Sequence, residues 1–303
     1  MSLFKSFLRK IPLYNSILGL KLRDYLFIKK EQLFGYPFLH ALFKKKLEYN
    51  LNLKNPNSFN EKLNLKKLQD RNPLLTLTAD KYLVREFVSS RVSKDILIPL
   101  LYETFKPEEI PFKKLKKNYI IKANHGSGTN IIIREGEEID RTKIISKCKD
   151  WLKKPYGHRN FEWGYQNIKR RIILEELLQD KDGKVPVDFK FYQFNGKCKL
   201  IHVDFERYGE SRSRSIFNTS WELLDVQYEY PKGPYINPPK NLNKMIQIVE
   251  KLSIGFDFVR VDLYNHLGKI YFGEMTHYPG NGMEKFTPQS FDFELGKYWT
   301  NQK

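Results

Sequence analysis

Helix signals dominate the first part of the chain and recur later. Ser58-Phe-Asn-Glu61 has the spacing of a capping box, in which Ser and Glu satisfy free backbone amides at a helix start. This box predicts a helix from Phe59 towards Asp70. Apolar residues at helical spacing predict further helices over residues 78–90, 141–153 and 242–253.

Strand-forming stretches follow, and most of them come in pairs joined by a turn. Asn195-Gly196 is a strong hairpin signal between two apolar stretches, and a second turn is expected at 265–268. The expected strands cover residues 118–124, 130–134, 171–174, 189–194, 197–205, 258–264 and 269–275. Helices followed by hairpins, without strict alternation, predict an α+β fold rather than a doubly wound parallel sheet.

The composition favours a folded protein and leaves two interpretations of a basic leader. The 303 residues include 53 Lys and Arg against 35 Asp and Glu, which gives a formal charge of +18. Residues 1–54 alone hold 11 basic and 3 acidic side chains, interspersed with aromatic ones. We expect either a helical cap with a solvated basic face or a peripheral contact of residues 1–50 with an anionic membrane.

Other classes of protein are disfavoured by motifs that the sequence lacks. It has no helix-turn-helix signal, zinc spacing or RNA-binding aromatic signature, so we expect no nucleic-acid partner. No apolar run approaches the ~20 residues of a membrane span, and the first residues lack a secretory cleavage site. Cys148 and Cys198 do not form a disulfide framework. The expected location is the reducing cytoplasm, with the inner face of the membrane as an option.

The last predicted hairpin carries paired carboxylates. Alternate strand residues share a face, so Arg260, Asp262 and Tyr264 are expected to project together. A five-residue loop at 265–269 would place Asp262 opposite Phe272, with Glu274 as its diagonal neighbour on the face of Ile270 and Phe272. Two carboxylates beside an Arg suit Mg²⁺ and phosphate, but they would equally suit an exposed ladder of salt bridges.

Two other segments could bind parts of a nucleotide. His125-Gly-Ser-Gly-Thr129 lies between two strands, and its glycines would let backbone amides approach an anion beside Lys122. The strand that ends at Glu175-Glu176-Leu177-Leu178 could bind an adenine edge. A tight hairpin and a buried strand leaving the core explain the same two patterns without any ligand.

The order of these segments resembles the ATP-grasp superfamily, and within it the TupA-like branch associated with surface-polysaccharide and teichuronopeptide biosynthesis. The resemblance covers about residues 50–295. The motifs that carry it are S-F-N-E-K-L (58–63), D-R-N-P-L-L (70–75), A-D-K-Y-L-V-R (79–85), I-I-K-A-N-H-G-S-G (120–128), W-L-K-K (151–154), E-W-G-Y-Q-N-I-K-R-R-I-I-L-E-E (162–176), D-F-K-F-Y-Q-F-N-G-K (188–197), F-V-R-V-D-L-Y (258–264), G-K-I-Y-F-G-E-M-T (268–276) and P-G (279–280).

The resemblance implies an ATP-grasp fold, in which two α+β subdomains clamp ATP, preceded by an N-terminal helical region. Its expected divisions are a basic helical region (1–57), helices and a linker (58–117), and a nucleotide- and metal-binding domain (118–303). The cofactors implied are ATP and Mg²⁺. The residues expected to contact ATP are Arg85 and Lys122 at the phosphates, Gly126, Ser127 and Gly128 in the loop above them, Glu175, Glu176 and Leu178 at the adenine, Asp182 at the ribose, and Lys190 in the cleft.

The resemblance also implies metal and catalytic residues, and further residues are candidates for contact with the substrate. Asp262 and Glu274 would bind Mg²⁺, and Thr276 stands where such enzymes usually have Asn. The expected catalytic residues are Arg260, which would stabilise the transferring phosphoryl group, Lys122 and Lys190. The residues expected to contact the substrate are His125, Arg212, Arg214 and His277, and Arg207 lies in the same basic stretch. A solvated loop is the alternative for the three arginines, and packing in the core is the alternative for His277.

The activity implied is that of an ADP-forming carboxylate–amine ligase that proceeds through an acyl phosphate. The branch suggests that an amino acid or small amine is joined to a sugar acid of a capsular or cell-wall polysaccharide. The alternative is a glycosyltransferase, because Asp180-Lys181-Asp182 has the D-x-D form that holds the metal of a nucleotide sugar. The oligomeric state is left open.

Overall fold

The computed structural model describes residues 17–115, 118–180, 182–205 and 212–300. The helices are α1 (Ile17–Leu33), α2 (Pro37–Leu47), α3 (Phe59–Gln69), α4 (Leu74–Ala79), α5 (Val84–Arg91), α6 (Arg141–Lys153), α7 (Trp163–Gln166), α8 (Leu242–Ser253) and α9 (Ser290–Lys297). The strands are β1 (Leu100–Thr104), β2 (Tyr119–Ala123), β3 (Asn130–Ile133), β4 (Ile172–Glu176), β5 (Asp188–Phe194), β6 (Lys197–Phe205), β7 (Ser213–Phe217), β8 (Gln227–Tyr228), β9 (Phe258–His266), β10 (Lys269–Thr276) and β11 (Phe286–Thr287). None of these helices has both the length and the apolar character that crossing a bilayer requires.

Within the described residues, the strands form two larger antiparallel sheets and one small one. The four-stranded sheet has the order β1-β4-β2-β3, and the five-stranded sheet has the order β10-β9-β5-β6-β7. β8 and β11 pair separately. This mixture of helices with antiparallel sheets confirms the predicted α+β class.

The five-stranded sheet is covered by helices on both faces. On one face, β5, β6, β9 and β10 share an apolar cluster with α4, α5 and α8. On the other face, Tyr192, Phe194 and Phe258 pack with Phe59 of α3 and Leu295 of α9. Buried apolar area on both sides stabilises the sheet and gives it a fixed position beneath the candidate site.

The second face of this sheet is apolar at one end and charged at the other. Residues two apart share a face, so Lys190 lies in line with Tyr192 and Phe194. On β9, Asp262 and Arg260 lie in line with Phe258 in the same way. The α3 and α9 helices cover the apolar end, and the charged end forms part of the candidate site.

Two helix predictions had different outcomes. The capping box at the start of α3 is confirmed, because Ser58 Oγ accepts a hydrogen bond from Glu61 N at 3.1 Å and the Glu61 carboxylate accepts one from Ser58 N at 3.0 Å. The single helix expected over 78–90 is wrong. α4 ends at Ala79 and α5 begins at Val84, because the Asp80 carboxylate accepts hydrogen bonds from the backbone amides that follow it.

The predicted register of the last hairpin is also wrong. β9 and β10 are joined by a two-residue turn, with His266 opposite Lys269, and the ladder is interrupted by a bulge at Gly273. The bulge reverses the alternation of faces, so Ile270 and Phe272 point into the core while Glu274 lies on the opposite face. Asp262 and Glu274 are therefore direct partners across the hairpin rather than diagonal neighbours.

Candidate active site

Arg85 and Lys122 meet at one carboxylate. The Arg85 guanidinium donates a hydrogen bond to Glu175 Oε1, and the Lys122 ammonium donates one to Glu175 Oε2, both at 2.9 Å. Arg85 also donates to the carbonyl of Ile98 at 2.8 Å, which fixes its orientation. Arg85 and Lys122, the two residues predicted to contact the phosphates, are thus adjacent. Both are held by Glu175, which was predicted to line the adenine.

The glycine-rich loop follows Lys122 and turns sharply. Gly126 and Gly128 both have positive φ, at 71° and 73°, a conformation that glycine adopts without steric cost. Ser127 Oγ is 3.0 Å from the hydroxyl of Tyr156. The Tyr156 ring lies so close to Gly126 that a Cβ there would be 2.6 Å from it, whereas a Cβ on Gly128 would meet nothing within 4 Å.

These two glycines provide a matched pair of substitutions. Gly128→Ala adds only backbone strain, which costs about 1–2 kcal/mol for a left-handed residue. Gly126→Ala adds the same strain and also displaces the Tyr156 ring, so we expect a lower Tm and a weaker affinity for ATP than for Gly128→Ala. Thermal unfolding and ATP titration measure both effects. Equal losses in the two variants would mean that the Tyr156 contact does not shape this loop.

The expected metal ligands converge on a single atom. Arg260 Nη2 lies 2.7 Å from Asp262 Oδ2, 3.1 Å from Glu274 Oε1 and 3.0 Å from Thr276 Oγ1. Arg260 Nε is also 2.7 Å from Asp262 Oδ1, which makes that ion pair bidentate. Three oxygen atoms from adjacent strands therefore surround one cationic group.

This donor set fits Mg²⁺. The ion is typically bound in proteins by one or two carboxylates together with substrate phosphates, and it prefers oxygen ligands. Among the described residues, no group of three or more His, Cys, Asp or Glu side chains is arranged to hold a metal. Asp262 and Glu274 with the Thr276 hydroxyl would hold Mg²⁺ only together with phosphate oxygens, which agrees with a metal that enters with a nucleotide.

Lys190 connects the expected metal ligands to further buried carboxylates. Its ammonium pairs with Asp188 and lies 3.4 Å from Asp262 Oδ2 and 4.0 Å from Asp204 Oδ2. Only 3% of Lys190 is exposed, so these charges are almost fully removed from water. Burial raises the pKa of Asp262, although Arg260 and Lys190 oppose that shift.

Arg212 and Arg214 contact the same buried network. Arg214 Nε donates to Asp204 Oδ1 at 2.7 Å, and Arg212 Nη2 donates to Asp204 Oδ2 at 3.3 Å. Burial opposes ionisation of Asp204, but His202, Arg214 and Lys190 outweigh it and hold the pKa of this carboxyl well below its usual range. Arg214 is 3% exposed and also pairs with Glu284, whereas Arg212 is partly exposed. Arg212 is therefore better placed than Arg214 to contact a substrate. Arg207 lies outside the described residues.

Lys81 links two parts of the site, although it is not among the residues predicted from the sequence. Its ammonium donates to the carbonyl of Gly126 at 2.8 Å and lies 3.6 Å from Glu274 Oε2. Its backbone amide donates to the carbonyl of Asn124 at 2.9 Å. The non-helical turn between α4 and α5 positions Lys81 in the site. A continuous helix over 78–90, as expected from the sequence, gave no indication of this position.

The segment expected at the adenine lies at the end of β4. The amide of Glu176 donates to the carbonyl of Pro99, and the amide of Leu177 donates to the carbonyl of Asn118, both at 3.0 Å. Leu178 follows directly and is partly exposed. The end of β4 is therefore held between the residues that precede β1 and β2, in the four-stranded sheet that carries Glu175 and Lys122 on its two inner strands.

The D-x-D segment forms a turn. Asp180 Oδ1 accepts hydrogen bonds from the amides of Asp182 and Lys184, both at 2.9 Å. Asp182, the expected ribose contact, is exposed, and Lys181 lies outside the described residues. The Asp180 carboxylate is thus occupied by the backbone of its own turn, which is an ordinary role for Asp followed by Gly.

The two histidines expected near a substrate are buried. Burial, with the charges of Arg170 and Lys81, lowers the pKa of His125 to about 4, so its ring is neutral near pH 7. His277 has no exposed surface; its Nε2 is 2.7 Å from Thr78 Oγ1 and its ring packs on Phe256. The position of His277 favours packing over contact with a substrate.

Comparisons with solved structures give matches of low identity. A D-alanine–D-alanine ligase from Bacillus anthracis is 16% identical, with a TM-score of 0.39, over 66% of this chain and 57% of that one. An L-amino acid ligase from Bacillus licheniformis is 13% identical, with a TM-score of 0.44, over 68% and 44%. The ATP-grasp ligase PsnB complexed with a minimal precursor, Mg and ADP is 11% identical, with a TM-score of 0.40, over 75% and 61%. The chain thus spans between 44% and 61% of these three proteins.

Comparison with curated proteins finds no match. A family model described as TupA-like ATPgrasp matches residues 61–300, which include each residue of the candidate site. With the α+β architecture described above, this match confirms the predicted ATP-grasp fold. Because it spans most of the sequence, the chain belongs to the TupA-like ATP-grasp family.

Proposed function

We propose that the protein is an ADP-forming carboxylate–amine ligase that uses ATP and Mg²⁺. The observation that carries this proposal is the convergence of Asp262, Glu274 and Thr276 on Arg260 Nη2, in a chain of an ATP-grasp family. A site built in this way pairs oxygen ligands for a metal with a cation for phosphate. Phosphoryl transfer needs little beyond such positioning and charge neutralisation.

The roles of the residues follow from their places in the site. Arg85 and Lys122 would exchange their shared Glu175 partner for phosphate oxygens when the nucleotide binds. The loop from Gly126 to Gly128 would close over those phosphates with its backbone amides. Bound Mg²⁺ would supply positive charge at the phosphate oxygens, held by Asp262, Glu274 and Thr276.

Arg260 and Lys190 would supply charge at the reacting group. Arg260 is oriented by its bidentate pair with Asp262, and it would turn towards the transferring phosphoryl group as the carboxylates take the metal. Lys190 would keep Asp262 ionised by remaining beside it. The acyl phosphate would then be open to attack by an amine, with ADP and phosphate as products.

For the substrates, we propose a sugar acid of a surface polysaccharide and an amino acid or small amine. The support is the family to which the chain belongs and the partly exposed Arg212 beside the buried charges of the site. The glycosyltransferase alternative loses its motif, since Asp180 is occupied within its own turn and Asp182 is exposed. We propose that the protein is located in the cytoplasm.

The proposed substrates are tested by measuring the nucleotide product that forms with and without them. Purified protein is incubated with ATP, Mg²⁺ and pools of sugar acids and amines, and ADP is measured with each pool left out in turn. We expect full turnover only when carboxylate and amine are both present, with weak ADP formation from carboxylate alone. ADP formation that depends on neither pool would contradict the proposed pairing.

Lys122 gives a more local prediction. Replacing it by Ala is expected to raise the KM for ATP and to lower kcat, because a point charge beside the glycine loop is lost. Lys122→Arg is expected to have a smaller effect, since it keeps the charge. Calorimetric titration with ATP measures the change directly, and unchanged binding in Lys122→Ala would make Lys122 a structural partner of Glu175.

A further inference from the structure

The α1 helix carries exposed apolar residues along one side and buries both of its acids. Leu22, Tyr25, Leu26 and Leu33 fall on one stripe at helical spacing, and each is more than half exposed. The stripe continues past the helix end through Phe34 and Phe38, which are 65% and 49% exposed. We call these six residues the α1 apolar surface. Contiguous exposed apolar residues mark interaction sites more often than solvated faces.

The opposite side of α1 is fixed by its two acids. Asp24 is 5% exposed and accepts a hydrogen bond from Arg159 Nε at 2.8 Å. Glu31 is 4% exposed, and its Oε2 accepts hydrogen bonds from the amides of Phe38 and Leu39 at 3.0 and 3.3 Å. The helix is therefore anchored by these polar contacts and by Phe27 and Ile28, which pack on the apolar cluster beneath it, while its exposed apolar residues point away from that cluster.

The α2 helix packs on the protein core with its apolar side. Leu39, Phe43 and Leu47 of α2 point inward and join a cluster with Phe161 and Met283. The helical-cap interpretation of the leader therefore describes α2. It describes α1 only in part, because Phe27 and Ile28 pack on the same cluster whereas the α1 apolar surface lies on the solvent side.

The exposed charge around this surface is positive. Lys29 and Lys30 lie on α1 itself, and Lys44, Lys45 and Lys46 are exposed at the end of α2. Within the described residues 17–50, Glu48 is the only exposed acid, and it pairs with Lys285 at 2.6 Å. Apolar side chains flanked by lysines are complementary to a bilayer with anionic headgroups.

We propose that the α1 apolar surface docks the protein on an anionic lipid membrane, with its apolar side chains at the headgroup boundary and Lys29 and Lys30 at the headgroups. The contact is peripheral and reversible. It would hold the candidate active site beside a membrane without any spanning segment. A second copy of the chain on the same surface is the competing occupant, and the test separates the two.

The test is co-sedimentation of the full chain with vesicles of phosphatidylcholine alone or with phosphatidylglycerol at about one third. We expect binding to the anionic vesicles only, and weaker binding as salt is raised. Each lysine near such a surface contributes about 1 kcal/mol, or about fivefold, so Lys29→Gln with Lys30→Gln should weaken binding about 25-fold. The matched control is Lys113→Gln with Lys114→Gln, an exposed pair elsewhere in the chain, for which binding should be unchanged.

A second pair of variants tests the apolar contribution. Leu22→Ser with Leu26→Ser should weaken vesicle binding at least tenfold, because two exposed leucines no longer enter the headgroup boundary. Ile254→Ser with Leu267→Ser, also exposed, is the control and should bind as the parent does. All these positions are exposed, so thermal unfolding should be unchanged.

Three results would overturn the proposal. Equal losses in the α1 and control pairs would indicate general charge attraction. Loss only on changing Phe4 and Phe7 would assign binding to another segment. Absence of vesicle binding, together with a dimer in sedimentation velocity that Leu22→Ser with Leu26→Ser dissociates, would make a second copy the occupant.

Discussion

Replacing Asp262 by Asn, or Glu274 by Gln, is expected to lower kcat by at least about a hundredfold while the fold is retained. Each substitution keeps the shape of the side chain and removes one negative charge from the group around Arg260 Nη2. The metal would lose a ligand, and the triphosphate charge would be poorly neutralised. Steady-state ADP formation at saturating ATP and Mg²⁺ is the measurement.

The control for this pair is Glu250→Gln. Glu250 is also a partly buried carboxylate in an ion pair, with Lys197 at 3.3 Å, but it lies on α8 behind the sheet. This variant should keep full activity. Full activity in Asp262→Asn or Glu274→Gln, with intact folding by circular dichroism, would remove both residues from the metal site.

Lys190→Met should have the largest effect on stability. It leaves Asp188, Asp204 and Asp262 without the cation that lies among them, and loss of one partner of a buried ion pair costs about 3–5 kcal/mol. Urea unfolding should therefore show a lower midpoint, and the folded fraction should turn over no ATP. The loss of activity comes from Asp262, whose charge Lys190 helps to maintain.

Lys66→Met is the control that separates a loss of stability from a loss of catalysis in Lys190→Met. Lys66 is also buried between two aspartates, Asp70 at 2.5 Å and Asp257, but it lies outside the candidate site. We expect a smaller loss of stability, because the Asp70 and Asp257 side chains are 23% and 39% exposed, with catalysis retained by the folded protein. Normal turnover by folded Lys190→Met would show that Lys190 has a structural role only.

The helices, the strands and the pairs of strands that form hairpins could be predicted from the sequence more accurately than the register within a pair. The capping box of α3, the bounds of α6 and α8 and the hairpin at Asn195-Gly196 depend on neighbouring residues, and the structure contains all of them. The pairing of Asp262 with Glu274 depends on a bulge at Gly273, where a Cβ would lie 3.0 Å from the carbonyl of Asp262. Strand alternation alone carries no signal of that bulge, so it placed Ile270 and Phe272 on the same face as Asp262 and Glu274.

Residues brought together from distant parts of the chain were the hardest to predict. Lys81 joins the glycine loop to Glu274 because Asp80 ends a helix, and only the tertiary contact with Asn124 shows where the turn points. The pairing of Lys190 with Asp204 requires the register of β5 with β6. A glycine between two strand residues was the available signal for the bulge, since such glycines often mark one.

In the proposed reaction, this site transfers a phosphoryl group from ATP to a carboxylate. Hydroxylamine intercepts an acyl phosphate as a stable hydroxamate, so the protein is incubated with ATP, Mg²⁺ and sugar acids, with hydroxylamine in place of the amine. The expected result is a hydroxamate formed in equal amounts with ADP and free phosphate, and none with Asp262→Asn. AMP with pyrophosphate, or sugar transfer from a nucleotide sugar without use of ATP, would contradict the proposed ligase reaction.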